Sequence, residues 1–310
     1  MLERLDRLEA RLVPLGDSAY PSLLEAVEDA PLVLSVRGVV KALSTPSIGI
    51  VGARAATREA CAHARRLGRE LASAGLTVVS GLARGIDAEA HRGAMEGGGR
   101  TVAVLACGID QIYPPEHRGL AKEIVERGAV ISELPLGAPP RRTHFPLRNR
   151  IISGLSRGVI VVEARRRSGS LITVRHALSQ GREVFVVPGA VSGPFSEGTN
   201  QLLRDGARPV RNAEDVMEDL GIAPLSTRLE AGDEQEDRCN LYSASPDPLA
   251  RNVMKTLAKG PLDRQALLVE LGVGASDLGR LLFELHLLGW IEEERDGRIH
   301  ARLRSPGESG

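Results

Sequence analysis

Cysteine, aromatic residues and lysine are scarce in this chain of 310 residues. The 3 cysteines lie far apart and form no Cys-x-x-Cys pair. This pattern excludes a disulfide framework and a zinc site of the usual spacing, and it favours a reducing compartment. No apolar run approaches the length that spans a membrane, and the opening MLERLDRLEARL lacks the apolar core of a signal peptide. We therefore expect a cytoplasmic protein without a membrane span.

A surplus of charge of either sign is also absent, because 40 basic side chains are balanced by 40 acidic ones. Any site for a polyanion must therefore arise from local segregation of charge. Most of the basic residues are arginines, a bias that genome composition explains as well as function does. The hydrophobic fraction of 42% is ordinary for a soluble globular protein and allows a core that needs neither disulfides nor metal.

Short apolar runs alternate with helix-length segments from about residue 47 onward. The runs are Ile48–Val51, Leu76–Ser80, Val102–Leu105, Ala129–Ser132, Val159–Val162, Val184–Val187 and Pro209–Arg211. Unbroken apolar strands separated by helices are typical of a parallel sheet that is covered on both faces. The sequence therefore predicts an α/β fold with one extended Rossmann-like domain over residues 45–221.

The segments on either side of this domain have different patterns. Residues 1–44 predict a short amphipathic helix over 1–12 and a lead-in segment with a strand at Leu32–Val36. Residues 222–247 are acidic and aperiodic, which predicts a linker. Residues 248–304 show three short helical patterns and then a hairpin pattern, which together predict a small C-terminal winged-helix domain.

The hairpin is indicated by the Asp296-Gly297 pair between two apolar positions. The third helix of this domain offers Arg280 but few polar donors for base edges. We therefore expect that helix to form a packing or partner surface. A sequence-specific winged-helix regulator would instead bind duplex DNA through the isolated domain.

Glycine, hydroxyl side chains and arginine recur where the strands of the predicted sheet end. Gly52, Arg54 and Thr57 follow the first strand, Arg84 follows the second, and Ser168, Gly169 and Ser170 follow the fifth. Parallel sheets bind ligands at the carboxyl ends of their strands, where helix N-termini and guanidinium groups suit phosphate oxygens. Glycine and hydroxyl residues also make tight turns in any α/β protein. Their recurrence in several loops, together with arginine or a helix cap, favours a phosphate-binding edge.

Nucleotide cofactors do not fit this edge. The first turn has no GxGxxG pattern, because Arg54 stands where the second glycine would be, and the second strand closes on Ser80 without a clear acid. No lysine follows a glycine anywhere, so a GxxxxGK[ST] loop is missing. We therefore expect no cofactor, and neither nicotinamide chemistry nor P-loop ATP hydrolysis.

Arginine is concentrated between Arg141 and Arg182, a stretch whose single acid is Glu163. Within it, Phe145 lies among basic and amide side chains, namely Arg142, Arg148, Asn149 and Arg150. On single-stranded nucleic acid, aromatic rings stack on bases while cationic groups bind phosphates. The same phenylalanine fits equally well as a core residue ahead of a helix that begins at Pro146, and these residues alone do not decide between the two roles.

Other polar groups give weaker indications of chemistry. Asp87 and His91 lie one helical turn apart, but no third ligand is nearby, so a capped helix with a hydrogen-bonded histidine is favoured over a metal site. Around Asp110, Tyr113 and Glu133 the spacing identifies no nucleophile paired with a base. We expect neither a metal nor catalytic residues.

One enzyme class is a rival to simple binding. A Rossmann-like nucleotide phosphoribohydrolase would use related glycine-rich loops and a carboxylate base. Its usual PGGxGT-E signature is missing, and the nearest analogue, Arg167-Ser168-Gly169-Ser170, has no glutamate after it.

An ordered series of motifs resembles the DNA-processing protein A (DprA/Smf) family over roughly residues 20–212. The motifs are VGARAAT at 51–57, SGLARGIDAEAHRGAM at 80–95, TVAVLACGIDQIYP at 101–114, ISELP at 131–135, FPLRNRIISGLS at 145–156, VVEARRRSGSLIT at 161–173 and REVFVVPG at 182–189. So many motifs in one order make the resemblance highly specific. Two features depart from the family pattern. The N-terminal helical domain common in the family is nearly absent, and Glu59-Ala60-Cys61-Ala62 stands where a Tyr/Phe-Gly pair is usual.

The resemblance implies a non-enzymatic protein that binds single-stranded DNA and forms a homodimer. It also implies that the protein protects incoming DNA and loads the RecA recombinase during natural transformation, with the single-strand-binding protein as a further partner. The DNA pocket that the resemblance carries over consists of Gly52, Arg54, Arg142, Phe145 and Asn149. Arg148, Arg150 and the Ser168-Gly169-Ser170 turn fit it less closely. Many members of the family also carry a C-terminal winged helix.

Overall fold

The structure, a computed structural model, describes residues 2–191, 193, 195–222, 248–257, 262–287, 291–293 and 298–301. The chain divides into two compact units, Met1–Leu225 and Ser226–Gly310. Each unit is described separately below. None of the described helices is both long enough and apolar enough to cross a membrane.

The first unit is built on a nine-stranded sheet with the order β1-β2-β6-β5-β4-β3-β7-β8-β9. Its strands are β1 (Ala10–Pro14), β2 (Val33–Gly38), β3 (Ser47–Val51), β4 (Thr77–Ser80), β5 (Thr101–Val104), β6 (Ala129–Ser132), β7 (Gly158–Val161), β8 (Glu183–Val186) and β9 (Arg208–Pro209). Seven neighbouring strands, β6-β5-β4-β3-β7-β8-β9, are parallel to one another. They coincide with the seven apolar runs of the sequence. The predicted α/β fold with a Rossmann-like parallel sheet is confirmed.

Helices cover both faces of this sheet. They are α1 (Leu2–Arg7), α2 (Ser22–Glu25), α3 (Arg58–Ser73), α4 (Ile86–Glu96), α5 (Arg118–Arg127), α6 (His144–Leu155), α7 (Ser170–Ser179), α8 (Glu197–Arg204) and α9 (Ala213–Asp219), with 3₁₀ turns at Val40–Leu43 and Pro115–His117. Apolar residues of α2, α6 and α7 pack on one face, and those of α3, α4 and α9 pack on the other. Because the central strands β3 to β7 are buried on both sides, their sequences are largely apolar rather than alternating.

The sheet begins well before residue 45, where the regular pattern of the sequence starts. β1 pairs antiparallel with β2, and β2 pairs antiparallel with β6, so the lead-in segment closes that edge of the parallel strands. Val13 and Leu34 are fully buried and anchor these two strands. The N-terminal helix is shorter than its leucine spacing predicts. It ends at Arg7, a positive φ of 51° at Glu9 turns the chain, and the following residues form β1.

The described residues of the second unit form three helices and a three-stranded antiparallel sheet with the order β10-β12-β11. The elements are α10 (Pro248–Leu257), β10 (Leu262–Asp263), α11 (Arg264–Leu271), α12 (Ala275–Leu287), β11 (Ile291–Glu293) and β12 (Arg298–Ala301). Asp263 caps α11 by accepting a hydrogen bond from the Ala266 amide at 2.7 Å. The three helices lie where the sequence predicts them, and the winged-helix designation stays a prediction. The predicted Asp296-Gly297 turn and residues 223–247 of the predicted linker lie outside the described residues.

Candidate functional site

The strand order reverses next to β3. From β3 the chain adds β4, β5 and β6 on one side, and it then returns to add β7 on the other side. The helices that follow β3 and β7 pack on opposite faces of the sheet, because α3 belongs to one apolar cluster and α7 to the other. The loops after these two strands therefore diverge, and a crevice opens between them at the carboxyl edge of the sheet.

A cleft of about 870 Å³ occupies this position. Its walls come from the loop after β3, the start of α6 and the loop after β7. The predicted contact residues that line it are Gly52, Arg54, Arg142, Phe145, Arg148, Asn149, Ser168, Gly169 and Ser170. Three segments that are distant in sequence thus meet at one site.

An aromatic and cationic stack forms the centre of the cleft. The guanidinium carbon of Arg54 lies 4.9 Å from the ring centroid of Phe145. The ring of Tyr113 meets Phe145 edge-on, with centroids 5.7 Å apart and an interplanar angle of 62°. Phe145 is only partly buried and lines the cleft, so it does not belong to the apolar core. Tyr113 is 39% exposed, and it was not among the predicted contact residues.

The cationic rim of the cleft is exposed to solvent. Its four exposed arginines are Arg54, Arg142, Arg165 and Arg167. Within the described part of the chain, none of the four forms an ion pair. Guanidinium groups without a carboxylate partner are available to an anionic ligand. Arg165 and Arg167 belong to the basic stretch but were absent from the predicted contacts.

Arg148 has a different environment from these four, although it touches the same cleft. Its side chain is buried, and its Nη1 donates to the carbonyl oxygens of Gly81, at 2.7 Å, and Val104. Burial lowers the pKa of Arg148 to about 10, and the nearby Asp87 carboxylate opposes that shift. The guanidinium is therefore directed into the protein, where it joins the ends of β4 and β5 to α6.

The geometry at Gly81 favours glycine at this position. A Cβ there would overlap the guanidinium group of Arg148. Gly52 also has a packing role, because a Cβ at this position would overlap the side chain of Ile86 on α4. A close approach of a ligand is therefore not needed to explain Gly52, whereas Gly169 is exposed with open space around its Cα.

Asn149 and the turn after β7 are joined to each other. The Asn149 amide donates to the carbonyl oxygen of Gly169 at 3.4 Å. The hydroxyl oxygens of Ser168 and Ser170 are 2.7 Å apart, and Ser170 begins α7. These contacts fix the turn against α6 on one wall of the cleft.

Three predicted contact residues lie outside the cleft, each for an identifiable reason. Thr57 caps α3 by accepting from the Ala60 amide at 3.2 Å, and its hydroxyl donates to Glu163 at 3.1 Å. Arg84 is exposed and forms an ion pair with Glu116. Arg150 is paired with Glu133 at 2.7 Å and with Asp29 at 3.0 Å.

Replacement of Arg150 with alanine should lower the free energy of unfolding by about 2 kcal/mol, because it leaves the partly buried Glu133 carboxylate without its partner. Urea denaturation would measure the change. Arg84→Ala is the matched control, since that ion pair is exposed and its loss should leave the midpoint unchanged. Equal midpoints for Arg150→Ala and the wild-type protein would contradict a structural role for Arg150.

Asp87 and His91 have structural roles: Asp87 binds backbone amides at the start of α4, and His91 makes a hydrogen-bonded contact in the core. Asp87 accepts hydrogen bonds from the amides of Gly81, at 3.1 Å, and Ala83, at 3.3 Å, and burial raises its pKa. His91 is fully buried with its Nδ1 2.6 Å from Thr101 Oγ1, and burial lowers its pKa to about 3. Among the described residues, no group of three or more His, Cys, Asp or Glu side chains could hold a metal ion.

Together, the fold and the cleft define an α/β protein with an aromatic and cationic crevice at the switch point of its sheet. Residues 11–221 match the model of the DNA recombination-mediator protein A family, and the chain belongs to that family. The resemblance seen in the sequence motifs is thereby confirmed.

Similar proteins come from several bacteria. Protein Smf of Escherichia coli K12 is 40% identical over 301 residues, which cover 96% of this chain and 79% of that protein. The DNA processing protein DprA of Bacillus subtilis is 43% identical over 209 residues, covering 67% of this chain and 70% of that protein.

Two solved structures share the fold of the first unit. DprA of Streptococcus pneumoniae superposes with a TM-score of 0.66 at 38% identity, covering 70% of this chain and 77% of that one. DprA of Helicobacter pylori gives a TM-score of 0.62 at 31% identity, covering 69% and 96%, and its structure is described as showing a single-stranded DNA binding mode.

Proposed function

We propose that this protein binds single-stranded DNA in the cleft and acts as a recombination mediator without covalent chemistry of its own. The observation that carries the proposal is the stack of Arg54 on Phe145 inside a rim of exposed arginines. A single strand offers both of the groups that such a site suits, because its bases have free π faces and its backbone carries one negative charge per nucleotide. The single-stranded DNA binding of the Helicobacter pylori relative supports the same ligand.

The cellular role in this proposal follows from the family. The protein would act in the cytoplasm as a homodimer, protect incoming single strands during natural transformation and load the RecA recombinase onto them. The single-strand-binding protein would be a further partner. The winged-helix domain would contribute a partner surface through its third helix, α12.

The enzymatic alternative, a nucleotide phosphoribohydrolase, needs a carboxylate that is free to act as a base. Asp87 is the only acid among the residues that line the described cleft. It is buried, accepts two backbone hydrogen bonds and lies beside the Arg148 guanidinium. These contacts favour binding over hydrolysis, and incubation with nucleoside monophosphates should release no free base.

The salt dependence of binding tests the proposal directly. If each of the four exposed arginines of the rim neutralises one phosphate, the logarithm of the affinity for a single strand should fall with the logarithm of the salt concentration at a slope of about −3. Fluorescence anisotropy with single-stranded and duplex oligonucleotides between about 50 and about 200 mM salt would measure it, with light scattering to give the mass of the complex. A slope indistinguishable from zero, or equal affinity for duplex, would overturn the proposal.

A further inference from the structure

A second aromatic and cationic stack lies beside the cleft. The guanidinium carbon of Arg165 is 4.3 Å from the ring centroid of Phe195, a geometry close to that of Arg54 on Phe145. Phe195 belongs to the loop between β8 and α8 and lines a neighbouring cleft of about 320 Å³. Arg165 itself lines the main cleft, so this stack connects the two clefts.

The loop that carries Phe195 is held at its two ends, by Gly189 before Phe195 and by the first turn of α8 after it. The Gly198 amide donates to the carbonyl oxygen of Ala164 at 2.8 Å. Ala164 is the residue directly before Arg165. The Asn200 side chain accepts from the Gly189 amide at 3.3 Å and donates to the Gly189 carbonyl oxygen at 3.2 Å. The loop is thus closed at its base and attached to the end of β7.

The charges around the neighbouring cleft suit a base better than a phosphate. Glu59 and Glu163 line it, and the buried Glu163 carboxylate already accepts hydrogen bonds from Thr57. Two acids would repel a phosphate, whereas a neutral base is not repelled and gains from stacking. Arg165 lies over the Phe195 ring, and it belongs to a run of three exposed arginines, residues 165–167, that can hold the backbone.

We propose that Phe195 is a second base-stacking platform, so that a bound single strand continues from the main cleft past Arg165 and places a base on the Phe195 ring. This inference rests on the proposed function, since it extends the path of the same ligand. It predicts that the binding site is longer than the main cleft alone and that its extension depends on an aromatic ring.

The test measures the affinity of the full chain for oligothymidylates from about 4 to about 16 nucleotides. Phe195→Leu keeps an apolar side chain in the loop but removes the ring. Its affinity should equal that of the wild-type protein for the shortest oligonucleotides and fall about tenfold below it for the longest, because one stacked base is lost. Phe195→Trp should restore the affinity, and Val191→Ala, at a 96% exposed position of the same loop, should match the wild-type protein at every length.

The salt slope separates stacking from phosphate contact. Phe195→Leu should leave the slope for the longest oligonucleotide unchanged, whereas Arg165→Ala should make it less steep by about 0.7. Equal affinities of Phe195→Leu and the wild-type protein at all lengths would overturn the inference, as would an equal loss at all lengths. If Phe195→Leu and the wild-type protein bind equally at all lengths, the proposed function still stands as long as the wild-type protein binds the short oligonucleotides. Absence of binding by the wild-type protein at every length would instead overturn the proposed function.

Discussion

Phe145→Ala is expected to weaken the binding of single-stranded DNA by roughly 10- to 100-fold, because the variant loses the ring on which a base stacks. Phe145 supports Arg54 on one side and meets Tyr113 at its edge, so the whole stack depends on this ring. The salt slope should remain near the wild-type value, since no phosphate contact is removed. Anisotropy titrations at several salt concentrations would measure both quantities.

Leu147→Ala is the matched control for this experiment. Leu147 lies two residues further along α6, is 58% exposed and does not line the cleft. The Leu147→Ala variant should bind DNA with the affinity of the wild-type protein. A Phe145→Ala variant that is folded and binds with wild-type affinity would show that the strand lies elsewhere on the molecule.

Arg148→Met should lower the free energy of unfolding by about 3–5 kcal/mol, because it removes a buried cation that lies near the Asp87 carboxylate and donates to two carbonyl oxygens. Asp87 would lose its neighbouring cation, and the carbonyl oxygens of Gly81 and Val104 would lose their donor. Urea denaturation would measure the loss as a lower midpoint at an unchanged slope. Arg142→Met, at an exposed arginine of the same cleft, should leave the midpoint unchanged.

The effect of Arg148→Met should also depend on pH. Burial raises the pKa of Asp87 in the folded protein above its ordinary value of 3.8, so the folded state takes up a proton more readily than the unfolded state does. Protonation removes the unpaired buried charge, and the deficit of the variant should therefore shrink as the pH falls towards 3.8 and grow as the pH rises above it. A deficit that is constant across this range would show that Asp87 carries no unpaired charge in the variant.

The sequence predicts the parallel sheet well because its central strands, β3 to β7, are buried on both faces. A strand such as β3, SIGIV, has a single polar residue, Ser47, which is itself buried, and the intervening helices are long enough to cross back over the sheet. The position of the cleft follows from the same pattern, since parallel strands bring their carboxyl ends to one edge. Gly52 and Arg54 could therefore be assigned to this edge from the pattern, whereas Phe145 was assigned to the same site only by the family resemblance.

The sequence does not distinguish between arginines that lie close together in the chain. Arg142, Arg148 and Arg150 belong to one basic segment, yet the first is exposed, the second is buried under β4 and β5, and the third is paired with Glu133. Their roles depend on how α6 is rotated against the sheet and on which acids face it. Those are tertiary contacts that local spacing does not encode. The stacking of Arg165, which follows β7, on Phe195, which follows β8, is also a tertiary contact that local spacing does not encode.

The antiparallel pairing of β2 with β6 determines how far the protein can be shortened. A fragment that began at residue 45, where the parallel pattern starts, would lack β1 and β2 and leave one edge of β6 without a partner strand. An open strand edge recruits strands from other molecules, so such a fragment should self-associate. Its failure to bind DNA would then report aggregation rather than the state of the cleft. Truncation studies of this protein should therefore retain the chain from Ala10 onward.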